Sequence, residues 1–316
     1  MLDSVRLGEV PCPHATLGPV PTTLLPDTVD SGVRDALMQL DAAVCAATTW
    51  APFGEGVWRD LVSPGSGSFA ALTLEQNMPL AAVYASESEQ AWSLGLGALP
   101  GHLPPLAEAL GKIAGLGVEQ INAWVLNSGD TTSLAISQLL STNGFVEERR
   151  LLRLEVALPV EALSLPTGVT LRAFDAERDT QAWLETNNRC FLGHPEQGDW
   201  SIEKFGDRRD EAWFRNEDLL VAHLDDVFVG FCWTKTSIET ARPPIGEIYV
   251  IAVAPEFSGQ GIGSALCAQG LAHLEKKHHS EIGMLYVDVS NTTAIKTYDR
   301  LGFKTVREDQ AWSWSL

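Results

Sequence analysis

A strand and a helix joined by a turn of nearly bare backbone constrain this chain more than any other feature. Residues 246–253 are rich in β-branched and aromatic side chains and read as a strand. Residues 265–274 have apolar side chains at helical spacing and run into Lys276, Lys277, His278 and His279, cations that suit a helix C-terminus. Between them lie Ser258, Gly259, Gln260, Gly261, Ile262, Gly263 and Ser264. Glycines at alternate positions let main-chain N–H groups converge at the helix start, where the helix dipole also favours negative charge. The segment is therefore an anion cradle. Spacing excludes two common kinds: Gly263-Ser264-Ala265 lacks the lysine of a nucleotide-hydrolase phosphate loop, and Ser264 stands where a dinucleotide fingerprint needs a further glycine.

One crossover unit later, residues 284–289 read as another strand and residues 290–303 as a capped helix ending at Gly302-Phe303. Residues 133–145 are a weaker copy of that helix, ending at Gly144-Phe145. The chain accordingly reads as two copies of one α/β domain, residues 1–157 and 169–316, joined by a linker at 158–168 that contains two prolines and a glycine. The copies differ chemically. Four residues before Gly302 stands Tyr298, whereas four before Gly144 stands Leu140. At the position of the cradle the first copy has residues 94–102, interrupted by Pro100 and bulky side chains, and Pro104-Pro105 must lie at or before a helix start. The N-terminal copy is read as catalytically inactive.

Composition sets outer limits. A chain of 316 residues suits two domains. A net charge of -19 argues against a nucleic-acid partner, which needs a basic footprint. Five scattered cysteines with no Cys-x-x-Cys point to neither a disulfide framework nor a zinc site, and no metal is expected. With no long apolar stretch and no signal-peptide pattern, the expectation is a cytoplasmic monomer without membrane contact.

The run 258–263 resembles the acyl-CoA pyrophosphate loop of the GNAT acetyltransferases, Arg/Gln-x-x-Gly-x-Gly/Ala, with Ser258 departing from the usual first residue. Residues 291–303 resemble that family's second signature, Asn-x-x-Ala-x-x-x-Tyr-x-x-x-Gly-Phe. The resemblance implies two tandem GNAT domains, each a mixed, mostly antiparallel twisted sheet flanked by helices, with acetyl-CoA as cosubstrate. Residues 187–198, 211–214, 230–235 and 246–250, with the fainter 54–61, narrow it to the mycothiol synthase branch. That branch acetylates the cysteinyl amine of a cysteinyl-glucosaminyl-inositol, a small aminoglycoside-like thiol precursor.

The resemblance also implies residue roles. Glu247 takes the amine proton, directly or through water, and Tyr298 protonates the departing CoA thiolate. Ile251, Ala252 and Val253 present main-chain groups to the pantetheine arm, residues 258–264 take the pyrophosphate, and Asn291, Thr292, Thr293, Ala294, Ile295 and Lys296 complete the cofactor site. Glu55, Glu196, Lys235, Glu247 and Tyr286 hold the acceptor. On the residues alone each also fits a plain role: a solvated carboxylate, a surface lysine, a packed tyrosine. Two other classes stay open, a GNAT enzyme for another amine or a peptide N-terminus and a non-catalytic acyl-CoA-binding regulator.

Overall fold

The computed structural model describes residues 21–26, 28–62, 67–87, 91–127, 129–194, 197–236 and 244–315. In chain order the elements are β1 (Thr22–Leu24), α1 (Ser31–Thr48), α2 (Glu55–Val62), β2 (Phe69–Glu75), β3 (Met78–Glu87), β4 (Trp92–Ala98), α3 (Leu106–Ala114), β5 (Gln120–Val125), α4 (Thr131–Thr142) and β6 (Val146–Ala157). They continue with β7 (Val169–Ala173), α5 (Ala176–Cys190), α6 (Ile202–Arg209), β8 (Leu219–Leu224), β9 (Val227–Thr236), β10 (Ile245–Val253), α7 (Ile262–His278), β11 (Ile282–Asp288), α8 (Thr292–Arg300) and β12 (Lys304–Ser315). Single 3-10 turns, Asn216–Asp218 and Pro255–Phe257, precede β8 and follow β10. No described helix is long and apolar enough to cross a membrane.

Two compact units result. The first takes the chain to Leu126 together with Asp130–Val146 and Trp312–Leu316; the second takes Asn127–Gly129 and Glu147–Ala311. In the first, β1 to β4 pair antiparallel in order and β5 joins β4 in parallel. Alternate residues of a strand serve opposite faces, and here both faces are covered. Phe69 and Ala71 of β2 pack with Leu106, Ile113, Ile136 and Leu140, while Ala70 and Leu72 pack with Leu37, Leu40, Phe53 and Leu61.

In the second unit β7, β8, β9 and β10 pair antiparallel, β11 joins β10 in parallel, and β6 closes on β11 antiparallel. Helices α7 and α8 cover one face through Ile262, Leu266, Leu271, Leu274 and Tyr298. The other face is an aromatic cluster built around Trp183, Trp200, Phe205, Phe231 and Trp233.

Both units share a pattern: four antiparallel strands, a helical crossover to a parallel strand, then a second helix. The copies of that second helix, α4 and α8, end at Gly144 (φ +84°) and Gly302 (φ +91°), the left-handed conformation that glycine adopts without steric cost at a helix C-terminus. The crossovers differ, since α3 has nine residues and α7 seventeen.

The observed units depart from the division read in the sequence. Strand β6, placed by chain order in the first copy, pairs with β11 in register from Leu151↔Asp288 to Ala157↔Ile282, and Leu154 enters the core of the second unit. The supposed linker belongs to that core as well: Leu158, Val160 and Leu165 pack on it, and the Gln269 side-chain amide donates to the Leu163 carbonyl at 3.0 Å. Conversely, Trp312 near the C-terminus packs in the first unit.

Candidate active site

The β10–β11 pair opens partway along its length. Its ladder runs only through Ile245↔Ile282, Gly246↔Gly283 and Glu247↔Met284, although β10 continues to Val253 and β11 to Asp288. A bulge supplies the cause: between Ile248 and Val250 the pairing of β10 with β9 shifts by one residue, leaving Tyr249 without a partner in that ladder. An extra residue bends the bulged strand and increases its twist, so β10 turns away from β11 just past Glu247. Ile251, Ala252 and Val253 ladder to Cys232, Phe231 and Gly230 of β9 on one edge; on the β11 edge they have no ladder partner. The carbonyl of Val253 also accepts from the Cys190 thiol at 3.3 Å.

Beyond this gap the chain enters the glycine turn. Gly259 (φ +77°) and Gly261 (φ +80°) are left-handed, and a Cβ at either would meet nothing within 4 Å, so backbone conformation rather than space demands glycine. Gly261 is the N-cap of α7 and offers no side-chain cap. The first N–H groups of a helix lack partners within it, and here no side chain caps them. Ser258, Gly259, Gln260 and Gly261 are exposed, whereas Ile262 anchors the turn in the core. The residues present thus fit an acyl-CoA, with a strand gap for the arm and an uncapped helix start for the pyrophosphate.

Three of the five expected acceptor residues, Lys235, Glu247 and Tyr286, share one face of the sheet. Lys235 and Glu247 are directly paired across β9 and β10. The Lys235 side chain is buried, with its ammonium 5.1 Å from the Trp213 ring centre and 5.6 Å from that of Tyr249. Tyr286 on β11 pairs with Arg153 of β6, and Arg153 bridges to Glu155 at 2.8 Å. The Tyr286 hydroxyl accepts a hydrogen bond from Arg307 at 2.9 Å, and Arg307 is itself held by Asp309 at 2.8 Å. Asp309 in turn accepts from the Asn127 N–H at 2.9 Å. Residues 235, 247, 286, 153 and 307 therefore form a polar band across five strands of the second unit.

Tyr298 lies on the opposite face. It is buried beside Phe303, with ring centres 5.7 Å apart, and burial raises its phenol well above the ordinary value, so it remains protonated at neutral pH. Cys267 and Cys232, which act on it electrostatically, are buried thiols also pushed up by desolvation, Cys267 to about 12.

Other expected residues divide. Asn291 is the N-cap of α8 and its side-chain oxygen accepts from the Ala294 N–H at 3.1 Å, so that oxygen serves the helix. Thr292, Thr293 and Lys296 are exposed, while Ala294 and Ile295 pack on the core. Glu55 stands in the first turn of α2 in the first unit, 3.8 Å from Arg59. Glu196 lies outside the described residues; its neighbour Gln197 is fixed by an N–H to the His194 ring at 3.0 Å and a carbonyl to the Asn187 amide at 2.8 Å.

Among its described residues the first unit differs at the corresponding positions. Leu140 fills the position of Tyr298 and is fully buried, and α3 starts at Leu106 behind Pro105. A Cβ on Gly95 or Gly97 of β4 would come within 2.5 Å of Val57 or 2.8 Å of Phe53, so these glycines admit protein side chains and not an anion. Sequence reading missed Arg153, Arg307 and Asp309. Their signal was a charged residue at alternate positions of strongly strand-like runs, unusual where both faces of a sheet are covered.

The GNAT acetyltransferase family model matches residues 180–303, from α5 to the end of α8. A mycothiol acetyltransferase of Thermobispora bispora is 43% identical over 173 residues, 54% of this chain and 58% of that protein, so the match spans little more than half of the relative. The fold is similar to that of a GCN5-related N-acetyltransferase from Sphaerobacter thermophilus, with TM-score 0.71 at 21% identity, covering 93% of this chain and 95% of that one. A mycothiol acetyltransferase of Streptomyces avermitilis is 36% identical over 255 residues, 81% of this chain and 79% of the relative, and on that extent of similarity the chain belongs to the mycothiol acetyltransferase family of GNAT proteins.

Proposed function

We propose that the protein transfers the acetyl group of acetyl-CoA to the cysteinyl amine of a cysteinyl-glucosaminyl-inositol, and that the chemistry is confined to the second unit. The observation that supports this most is the opening of β10 from β11 immediately after Glu247, leading to the uncapped start of α7. A thioester lying along that opening brings its carbonyl beside the free edge of β10, where a main-chain N–H stabilises the oxygen as it gains charge. The amine nitrogen bonds to the carbonyl carbon, its proton passes to Glu247 through water, and the carbon–sulfur bond breaks. Tyr298 donates its proton to the CoA sulfur and recovers one from solvent.

A cysteinyl α-amine has an ordinary pKa of about 7.7–8.0, so a carboxylate relay suffices to deprotonate it. Lys235, Tyr286 and the arginines beside Tyr286 suit a polyhydroxylated acceptor, since hydroxyls both donate and accept. The test is turnover of the purified protein with acetyl-CoA and the glycoside against free cysteine and peptides with N-terminal cysteine. The acceptor has its own thiol, so product is followed by mass rather than by thiol release. Efficient acetylation of the peptides with none of the glycoside would replace this reading with that of a peptide N-acetyltransferase.

A further inference from the structure

Three donor atoms converge at the end of α7 remote from the glycine turn. The carboxylate oxygen Oδ1 of Asp218 lies 2.7 Å from Nε2 of His273 and 2.6 Å from Nε2 of His278, and the donor atoms of all three residues lie within 4.8 Å of one another. Asp218 ends the 3-10 turn before β8, and both histidines lie in the last two turns of α7. The backbone holds Asp218 firmly: its N–H donates to the Arg215 carbonyl at 3.0 Å, and its carbonyl accepts from the buried Thr234 hydroxyl at 2.9 Å.

The charge balance is unusual for this chain. Asp179, Asp309 and Asp218 each expose only 3% of the side chain. Asp179 is neutralised by Arg172 and Asp309 by Arg307, whereas the carboxylate of Asp218 meets only the two imidazoles among the described residues. A buried carboxylate without a fixed cation is costly. Lys277 does not supply one, being paired with Glu217 at 3.1 Å on the surface. The helix dipole adds to the demand, because the C-terminus of α7 places partial negative charge beside the cluster. The histidine side chains are 19% and 20% exposed, which leaves a way in from solvent.

We propose that Asp218, His273 and His278 form a binding site for a divalent transition-metal ion of the Zn2+ class that clamps the C-terminal end of α7 to the start of β8. Two imidazoles and one carboxylate are a common donor set for such ions and leave at least one position for water. Metal–ligand bonds of about 2.0–2.2 Å in tetrahedral geometry separate ligand atoms by roughly 3.3 Å, so ligation needs small rotations of rings already converged. Each histidine then presents the Nε2 lone pair and keeps its proton on Nδ1. The site is independent of the acetyl-transfer reading and departs from the cysteine-based expectation of no metal.

The test uses the untagged full-length protein, stripped with chelator and titrated with Zn2+ against a competing chelator, with metal content measured after dialysis. One Zn2+ per chain with Kd below about 1 μM is expected, together with the visible d–d bands of a four- or five-coordinate ion when Co2+ is substituted. His273→Gln and His278→Gln should each weaken binding by about 100-fold, while His279→Gln, one residue beyond the site, should leave it unchanged. The Co2+ spectrum and stoichiometry of the wild-type chain decide the question even where a variant folds poorly. Less than about 0.2 equivalents of retained metal, or one equivalent that survives both histidine substitutions, would overturn the proposal.

Discussion

Lys235 and Glu247 stand opposite each other across the β9–β10 ladder, one residue before the bulge that turns β10 away from β11. A carboxylate at the point where the strands diverge, with a buried cation beside it, can draw a proton from an amine that approaches along the polar face. Replacing Glu247 by Gln keeps shape and removes the base. Turnover should fall by about 100-fold or more, and the deficit should widen as pH drops below the amine's ordinary range near 7.7–8.0, where more of the amine must be deprotonated. A rate–pH profile of Glu247→Gln parallel to that of the wild type would remove the assigned base.

Tyr298 offers a second, separable readout. Burial holds its phenol well above the ordinary value of 10, so it stays in the proton-donating form throughout the working range. The kcat–pH profile should show no alkaline fall from tyrosine ionisation up to pH of about 10. Tyr298→Phe should lower kcat by about 10- to 100-fold, as loss of a general acid does, with acetyl-CoA affinity retained. Calorimetric titration with CoA beside single-turnover rates separates the two effects.

Gly261 tests the cradle. Open space surrounds it, so a larger residue fails through its φ of +80° and not through a clash. Left-handed backbone costs about 1–2 kcal/mol for a residue with a Cβ, and relief of that strain turns N–H groups away from the anion. Gly261→Val should raise the acetyl-CoA KM at least tenfold with little change in the glycoside KM. Equal changes in both constants would count against a phosphate role.

Much of this site was legible because it is local. Gly259, Gly261 and Gly263 declare an anion turn by spacing alone, and Tyr298 with Gly302 marks a helix whose end is encoded within a few residues. Strand partners are not encoded this way. The alternation of residues 152–156 states that a strand exists but not that it pairs with β11, because either sheet edge satisfies the same pattern. The same limit hid Arg307, whose partner Tyr286 lies 21 residues away, and the convergence of Asp218 with His273 and His278 across 55 and 60 residues.

Acid stability should report the Arg172–Asp179 pair. Burial opposes ionisation of the Asp179 carboxyl, but hydrogen bonds from Arg172 at 2.6 and 2.7 Å and from the Asp175 N–H outweigh it and hold the group below its ordinary value. A depressed folded-state pKa stabilises the protein above the unfolded value near 3.9 and loses that contribution as pH falls through the folded one. Arg172→Met should therefore lower Tm most at pH 7, with the gap to wild type closing below pH about 4. Solvent reaches about a third of the Arg172 side chain, 34%, so high salt should also narrow the gap. A gap constant from pH 7 to pH 3 would assign the effect to packing.

Arg307 joins stability to acceptor recognition, and the two can be separated. Its guanidinium neutralises Asp309, of which 3% of the side chain is exposed, and also donates to the Tyr286 hydroxyl. Arg307→Met alone strands a buried carboxylate and should destabilise by about 3–5 kcal/mol. Removing both charges, in Arg307→Met with Asp309→Leu, should recover most of that loss, since a buried ion pair and its apolar replacement are often close in stability. The double variant still lacks the donor that orients Tyr286. If Tyr286 binds the acceptor, its glycoside KM should stay raised, by about tenfold for one lost oriented hydrogen bond, while the acetyl-CoA KM returns to the wild-type value. Denaturant unfolding and two-substrate kinetics on the same three proteins measure both. Recovery of the glycoside KM along with stability would reduce Arg307 to a support of the fold and leave Tyr286 to position itself.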